Sequence, residues 1–204
     1  MSDIEQLDAA DADDIARLLS ETFFHDRAHA FVFATPKSRE RWLPKVMGGA
    51  ARAALESGAV FGVRDGAANS LIAAAQWLIP HNYQRRAADH WLGVSLLLSN
   101  LSAYRRMASV NRLFTSVQPS GHRYVQLSGL VVQHEHRRRG WGARLIAAGQ
   151  QFAAEKRLPI FLQCWPDLIP YYEQFGFETF SRAETREIDC HLSGLIWEPP
   201  DVAE

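Results

Sequence analysis

The chain has 204 residues, which at about 150 residues per domain predicts one domain with room for an insertion. Hydrophobic residues make up 47% and charged residues 22%; this excludes a disordered or collagen-like chain and predicts a packed core that needs neither disulfide nor structural metal. Lys plus Arg number 22 against 23 Asp plus Glu, a net charge of −1, which argues against a general nucleic-acid binder and leaves room for one local anion site. No run of about 18 apolar residues is present, so no membrane partner is expected. Cys164 and Cys190 form no C-x-x-C pair, and the acidic N-terminus has no signal-peptide pattern, which predicts a cytoplasmic location.

Ile4 to Leu7 reads as a short strand, and Asp11 is placed to cap a helix with Ile15, Leu18, Leu19 and Phe23 on one face. Thr35-Pro36 launches a second helix to about Ser57, with a kink expected at Pro44 and an end at Gly58. Ala59 to Arg64 and Leu71 to Trp77 form a hairpin around Asp65-Gly66. From about residue 87 to 118 the chain reads as a helical insertion. Its stripe of Trp91, Val94, Leu97, Leu98, Leu101 and Tyr104 predicts core packing, with a partner helix, a homodimer interface or a substrate wall as its other uses. Tyr124 to Val132 is a strand with Gly129 as a bulge, Gly142 to about Lys156 a helix, and Ile160 to Cys164 a short buried strand. A brief helix over Leu168 to Phe175, a turn at Gly176 and strands over Phe177 to Arg186 and Cys190 to Trp197 close a mixed α/β domain.

The sharpest feature is the run from Val132 to Leu145, where a strand passes through Arg137, Arg138, Arg139, Gly140, Trp141, Gly142 and Ala143 into a helix. Glycines let the backbone approach a ligand, a helix N-terminus presents unpaired N–H groups, and arginines add charge-assisted bonds, so the segment is a cradle for a pyrophosphate. It lacks the Gly-Lys-Ser/Thr of a P-loop and has Leu145 where a dinucleotide fingerprint needs glycine or alanine.

On Val132, Arg137, Arg138, Gly140 and Gly142 the sequence resembles the GNAT family of acetyl-CoA-dependent N-acetyltransferases, with His134 where that family usually has proline. Pro170 to Phe177 resembles the family's Tyr-x-x-x-Gly-Phe segment, with Tyr172 at the tyrosine position. The resemblance spans most of the chain and implies an α/β GNAT fold, a mixed central sheet with splayed parallel strands flanked by helices. It also implies that backbone N–H groups of Arg138 to Ala143 hold the coenzyme pyrophosphate, and that Leu130, Val131 and Val132 border its pantetheine arm. The pattern looks most like the puromycin N-acetyltransferase type, through Trp77-Leu78-Ile79-Pro80, the helical insertion and Pro170-x-Tyr172-Glu173. The family's frequent Asn is Leu168 here, a role Asp167 could take over.

Acyl transfer to an amine needs a base, an oxyanion donor and an acid for the departing thiolate. Tyr172 is the candidate acid, since a phenol is protonated at neutral pH. No base stands out: Gln126 and Ser128 on the strand before the loop are unsuited, and water relayed to Glu21, His25, His81 or His122 is the alternative. His25-Asp26-Arg27-Ala28-His29 reads as a surface helix turn, His134-Glu135-His136 as a solvated loop, and no metal is expected. Cys164 lacks a base partner, which favours direct transfer. Phe23, Phe24, Phe31, Phe33, Trp77 and the Trp91 insertion form an apolar acceptor wall, and Phe23, Phe24 and Trp77 are the substrate residues this predicts. The acceptor is then a small-molecule primary amine. Acetylation of a protein N-terminus or lysine, or non-catalytic acyl-CoA binding, are the competing uses.

Overall fold

In a computed structural model the described residues are 4–66, 68–82, 87–121, 123–185 and 190–200. A seven-stranded sheet runs in the order β1 (Glu5–Gln6), β2 (Ala59–Arg64), β3 (Leu71–Leu78), β4 (Val125–Val132), β5 (Ile160–Cys164), β7 (Cys190–Trp197), β6 (Glu178–Thr185). Every neighbouring pair is antiparallel except β4 and β5 at the centre, which are parallel. Helices α1 (Ala12–Thr22) and α3 (Pro36–Ser57) cover one face, and α6 (Trp141–Glu155) covers the other. The short helices α2 (Arg27–Val32) and α7 (Ile169–Glu173) flank the central strands, and the insertion forms α4 (Ala87–Ser99) and α5 (Leu101–Ser116).

The acidic start of the chain is held by one arginine. Arg64 on β2 meets Glu5 at 2.9 Å and Asp14 at 3.5 Å, and it also pairs with Asp11. Asp11 therefore does not cap α1 through its side chain, as the sequence suggests. It joins Asp8 in a capping box around a 3-10 turn one step earlier, with Asp8 Oδ1 accepting from Ala10 N and Asp11 Oδ2 from Asp8 N. Thr35 caps α3 from Ser38 N at 3.2 Å, Pro36 occupies the first turn, and the helix runs on through Pro44 to Ser57.

The apolar stripe of the insertion is not core. Trp91 is 68% exposed and Leu98 81%, with Val94, Leu97, Leu101 and Tyr104 exposed too. The segment also divides at Asn100, whose side chain accepts from Ala103 N at 3.1 Å and starts a new helix. Helical spacing alone does not say which face of either helix meets the body, and the residues buried among the described ones of these two helices are Leu96, Ala103, Val110 and Leu113. They join Phe33, Trp42, Phe161 and Leu192 in a cluster beneath α2 and α5. No helix among the described residues is long and apolar enough to cross a membrane.

Substitution separates the two kinds of position. Leu113→Ala is expected to cost about 2–5 kcal/mol in urea unfolding, whereas Leu98→Gln, which keeps helix propensity and buries nothing, is expected to shift stability by less than about 0.5 kcal/mol.

Candidate active site

The parallel pair at the sheet centre is short. Val125, Gln126 and Leu127 pair with Ile160, Phe161 and Leu162, and from Ser128 onward β4 has no strand partner on that side. On its other edge, Gln76 pairs with Gly129 but Trp77 with Leu127, so Ser128 is an extra residue in β4. Such a bulge bends and twists its strand, and it sits one residue before the expected Gly129. Meanwhile β5 stays paired to β7 through Cys164 and Ser193. β4 gains a residue and loses its β5 partner beyond Leu127 while β5 stays paired to β7, and the sheet opens between them.

A cavity of about 380 Å³ lies in the opening. Its floor is Leu127 to Leu130 of β4 and Leu162 to Cys164 of β5, and Tyr172, Trp165 and Leu168 border it. Phe23, Val32, Phe33 and Met47 close one side, and Met107, Val110, Asn111 and Phe114 of α5 close another. The insertion thus walls the cavity with α5. The volume and apolar lining fit a small organic molecule.

Next to the cavity, Arg138 and Gly140 both take left-handed backbone conformations, φ 60° and 79°. Arg137 turns back, donating from Nε to Val132 O at 3.1 Å. Helix α6 begins at Trp141 with Gly140 as N-cap and no capping side chain, and its first turn closes with Arg144 N on Gly140 O at 3.1 Å. Among the described residues no backbone bond engages the N–H groups from Arg138 to Ala143. They form an uncapped row at the positive end of a fifteen-residue helix. The loop arginines are exposed. A Cβ at Gly142 would overlap the Tyr171 hydroxyl, which joins the loop to α7 and so to Tyr172. Leu130 and Val132 pack toward α6, whereas Val131 is buried under α1 and α3, so Val131 can offer a ligand only its backbone.

Tyr172 is buried, edge-on to Tyr171 and Phe177 with ring centroids 5.3 and 5.9 Å away. Burial, then Cys164 and Tyr171, raise its pKa well above that of a free phenol, so it stays protonated. Cys164 is buried and its thiol is pushed up to about 12 by burial and then by Asp167, which disables it as a nucleophile.

Several expected residues fall elsewhere. Trp77 is not in the acceptor wall: side chains alternate along β3, so Gln76 faces the cavity while Trp77 is wholly buried on the opposite face, its indole filling the space a Cβ at Gly149 would need. Phe24 lies outside the cavity, half-buried against His25 and beneath Arg39, and only Phe23 of that pair lines it. Asp167 is tied to Arg27 at 3.4 Å. Of the proposed water-relay bases, Glu21, His25 and His81 do not line the cavity, and His122 lies outside the described residues.

The residues that do line it, and that sequence reasoning passed over, are Asp26 and His29. Asp26 caps α2, with Oδ1 accepting from Ala28 N at 3.0 Å and His29 N at 3.2 Å. The same oxygen lies 2.9 Å from His29 Nδ1, and Oδ2 accepts from Trp165 Nε1 at 3.0 Å. Burial opposes the Asp26 charge, but the His29 side chain, Trp165 and the backbone outweigh it and hold the carboxyl below its usual pKa. The capping spacing is visible in the sequence; the link to Trp165, 139 residues away, is not.

The acetyltransferase (GNAT) family profile matches residues 13–177. A sequence search of curated proteins finds no match. Among solved structures, a histone acetyltransferase HPA2 and related acetyltransferase from Corynebacterium glutamicum superposes with a TM-score of 0.69 at 16% identity, covering 99% of this chain and 98% of that one. Mosquito arylalkylamine N-acetyltransferase like 5b gives 0.64 at 12%, covering 97% and 100%. Arabidopsis thaliana NAA60 gives 0.55 at 12%, covering 97% and 98%. At these identities the likeness shows a shared fold.

The raised acidities make stability fall in alkali. The folded state keeps protons on Cys164 and Tyr172 that an unfolded thiol or phenol gives up near 9 and 10. Stability is therefore full below pH 9 and declines above it, by about 1.4 kcal/mol per pH unit from Cys164 above pH 9 and by a similar amount from Tyr172 above pH 10. Urea midpoints measured at pH 8 and 10.5 are expected to converge in Cys164→Ala relative to wild type.

Proposed function

Because this chain belongs to the GNAT family of acetyltransferases, we propose that it moves an acetyl group from acetyl-CoA directly to the primary amine of a small, largely apolar molecule. The observation that carries this reading is the unpartnered row of N–H groups from Arg138 to Ala143 beside a cavity in the splayed sheet. A pyrophosphate suits that row, with Arg137, Arg138 and Arg139 adding charge from the rim. The unpaired edge of β4 beyond Leu127 gives main-chain groups to a pantetheine arm. Bound acetyl-CoA supplies an activated acyl thioester.

The acceptor side favours a small amine over a peptide. α5 closes the cavity where a peptide would need an open groove, and Phe23, Val32, Phe33 and Phe114 surround the space with apolar surface. The puromycin N-acetyltransferase type is the finer reading, resting on Trp77 to Pro80 and Pro170 to Glu173. Tyr172, protonated and on the cavity wall, donates its proton to the departing sulfur. Cys164, its thiol buried and protonated, leaves no covalent acyl-enzyme route.

Calorimetry with acetyl-CoA is expected to show micromolar binding, abolished in an Arg138→Glu, Gly142→Glu variant; no binding to wild type would reduce the loop to a basic helix cap. Tyr172→Phe is expected to lower kcat by about 10²-fold or more while the acetyl-CoA dissociation constant stays within about twofold. Thiol release against a panel of amines reads both turnover and acceptor preference.

A further inference from the structure

The cavity has one carboxylate on its wall, Asp26, one imidazole, His29, and no Lys or Arg among the described residues. Asp26 is fully engaged: Oδ1 takes three donors and Oδ2 takes the Trp165 indole. A carboxylate held ionised by these bonds can only accept, so the 2.9 Å contact requires the proton to sit on His29 Nδ1. The basic lone pair is then on Nε2, which no hydrogen bond engages among the described residues. The ring is held in place from two sides, by the carboxylate and by Phe23 at 5.7 Å and 30°. Asp26 is in turn anchored to the β5 end of the splay through Trp165, and Arg27 reinforces the junction over the Trp165 ring and at Asp167.

Resting on the acetyl-transfer reading, we infer that His29, oriented by Asp26, is the base that deprotonates the amine acceptor. The ammonium proton passes to Nε2. The freed lone pair forms the new C–N bond at the thioester carbonyl carbon, and the C–S bond breaks. The sulfur leaves with the Tyr172 proton, and the second proton on nitrogen restores the Tyr172 phenol. Amide, thiol and one proton result, the last passing from His29 to water. Asp26 is a positioning residue: it fixes the tautomer and stabilises the imidazolium formed in the step.

Among the residues lining the cavity Asp26 is the charged partner of His29, and on its other side Asp26 borders a second pocket with Glu21, His25, His134, Glu135 and Arg137. Tyr172 and Cys164 face the same cavity and are held protonated, while Gln76 and Ser128 from β3 and β4 and Asn111 from α5 carry no charge. Asp167 is paired with Arg27, and Arg106 on α5 donates to Val32 O.

The test compares wild type and His29→Gln with two acceptors, 2-phenylethylamine, which is an ammonium ion at neutral pH, and aniline, which is not. Acetyl-CoA binding and thermal melting check that the variant is folded and loaded. His29→Gln is expected to lower kcat/KM for 2-phenylethylamine at pH 7 by about 10²-fold or more, and for aniline by less than about threefold, because the latter arrives deprotonated and its one excess proton after attack goes to Tyr172, leaving nothing for His29 to accept. The variant's rate with 2-phenylethylamine then climbs about tenfold per pH unit with the free amine, where wild type is flat. Asp26→Asn gives an intermediate loss with the same selectivity. Equal losses for both amines, or no loss, overturn the base assignment while leaving acetyl transfer standing. A wild type that binds acetyl-CoA but releases no thiol with any amine overturns acetyl transfer, and the base with it.

Discussion

Everything at this site depends on a mismatch between the two central strands. β5 keeps five register pairs with β7, while β4 gains an extra residue at Ser128 and parts from β5 after three pairs. A sheet that closed normally would satisfy the backbone groups beyond Leu127 and leave no cavity. The opening leaves main-chain donors and acceptors unpaired in the interior, a costly state that persists because the flanking structure is over-determined. Trp77 against Gly149 fixes β3 to α6 on one face, and the cluster of Leu18, Leu19, Leu43 and Ala54 fixes α1 and α3 on the other.

That constraint also explains why the loop and the cavity adjoin. The strand that carries the extra residue is the one that runs into the Arg138 to Ala143 row, and α7, which follows the strand still paired to β7, brings Tyr171 to Gly142 and Tyr172 to the cavity wall. Two segments far apart in sequence meet because they continue the two edges of one gap.

Most of the architecture was legible from local signals. The strand, loop and helix around Gly140 carry their own turn chemistry, and the caps at Thr35 and Gly58 bound α3 where the pattern places them. One misreading overlooked a cap inside its own segment, and the other two needed information from outside theirs. The Trp91 to Tyr104 stripe looks continuous at helical spacing, but Asn100 divides it. Trp77 and Gln76 are neighbours on a strand buried on both faces, so hydrophobicity could not say which one meets a ligand. His29 read as part of a surface helix turn because His25 to His29 completes no metal-binding pattern, and only the contact of Asp26 with Trp165, 139 residues away, turns that segment inward.

Asp26 serves two tasks whose chemical requirements differ. Holding the start of α2 requires any short side chain with an oxygen acceptor, and Ser, Thr or Asn would serve nearly as well. Fixing a proton on Nδ1 and balancing an imidazolium requires a full negative charge. Selection for thermostability would therefore read only the first task and the Trp165 contact: a library ranked by melting temperature would score an uncharged, cap-competent replacement of Asp26 by the bonds it keeps, and would not register the catalytic impairment that comes with the lost charge.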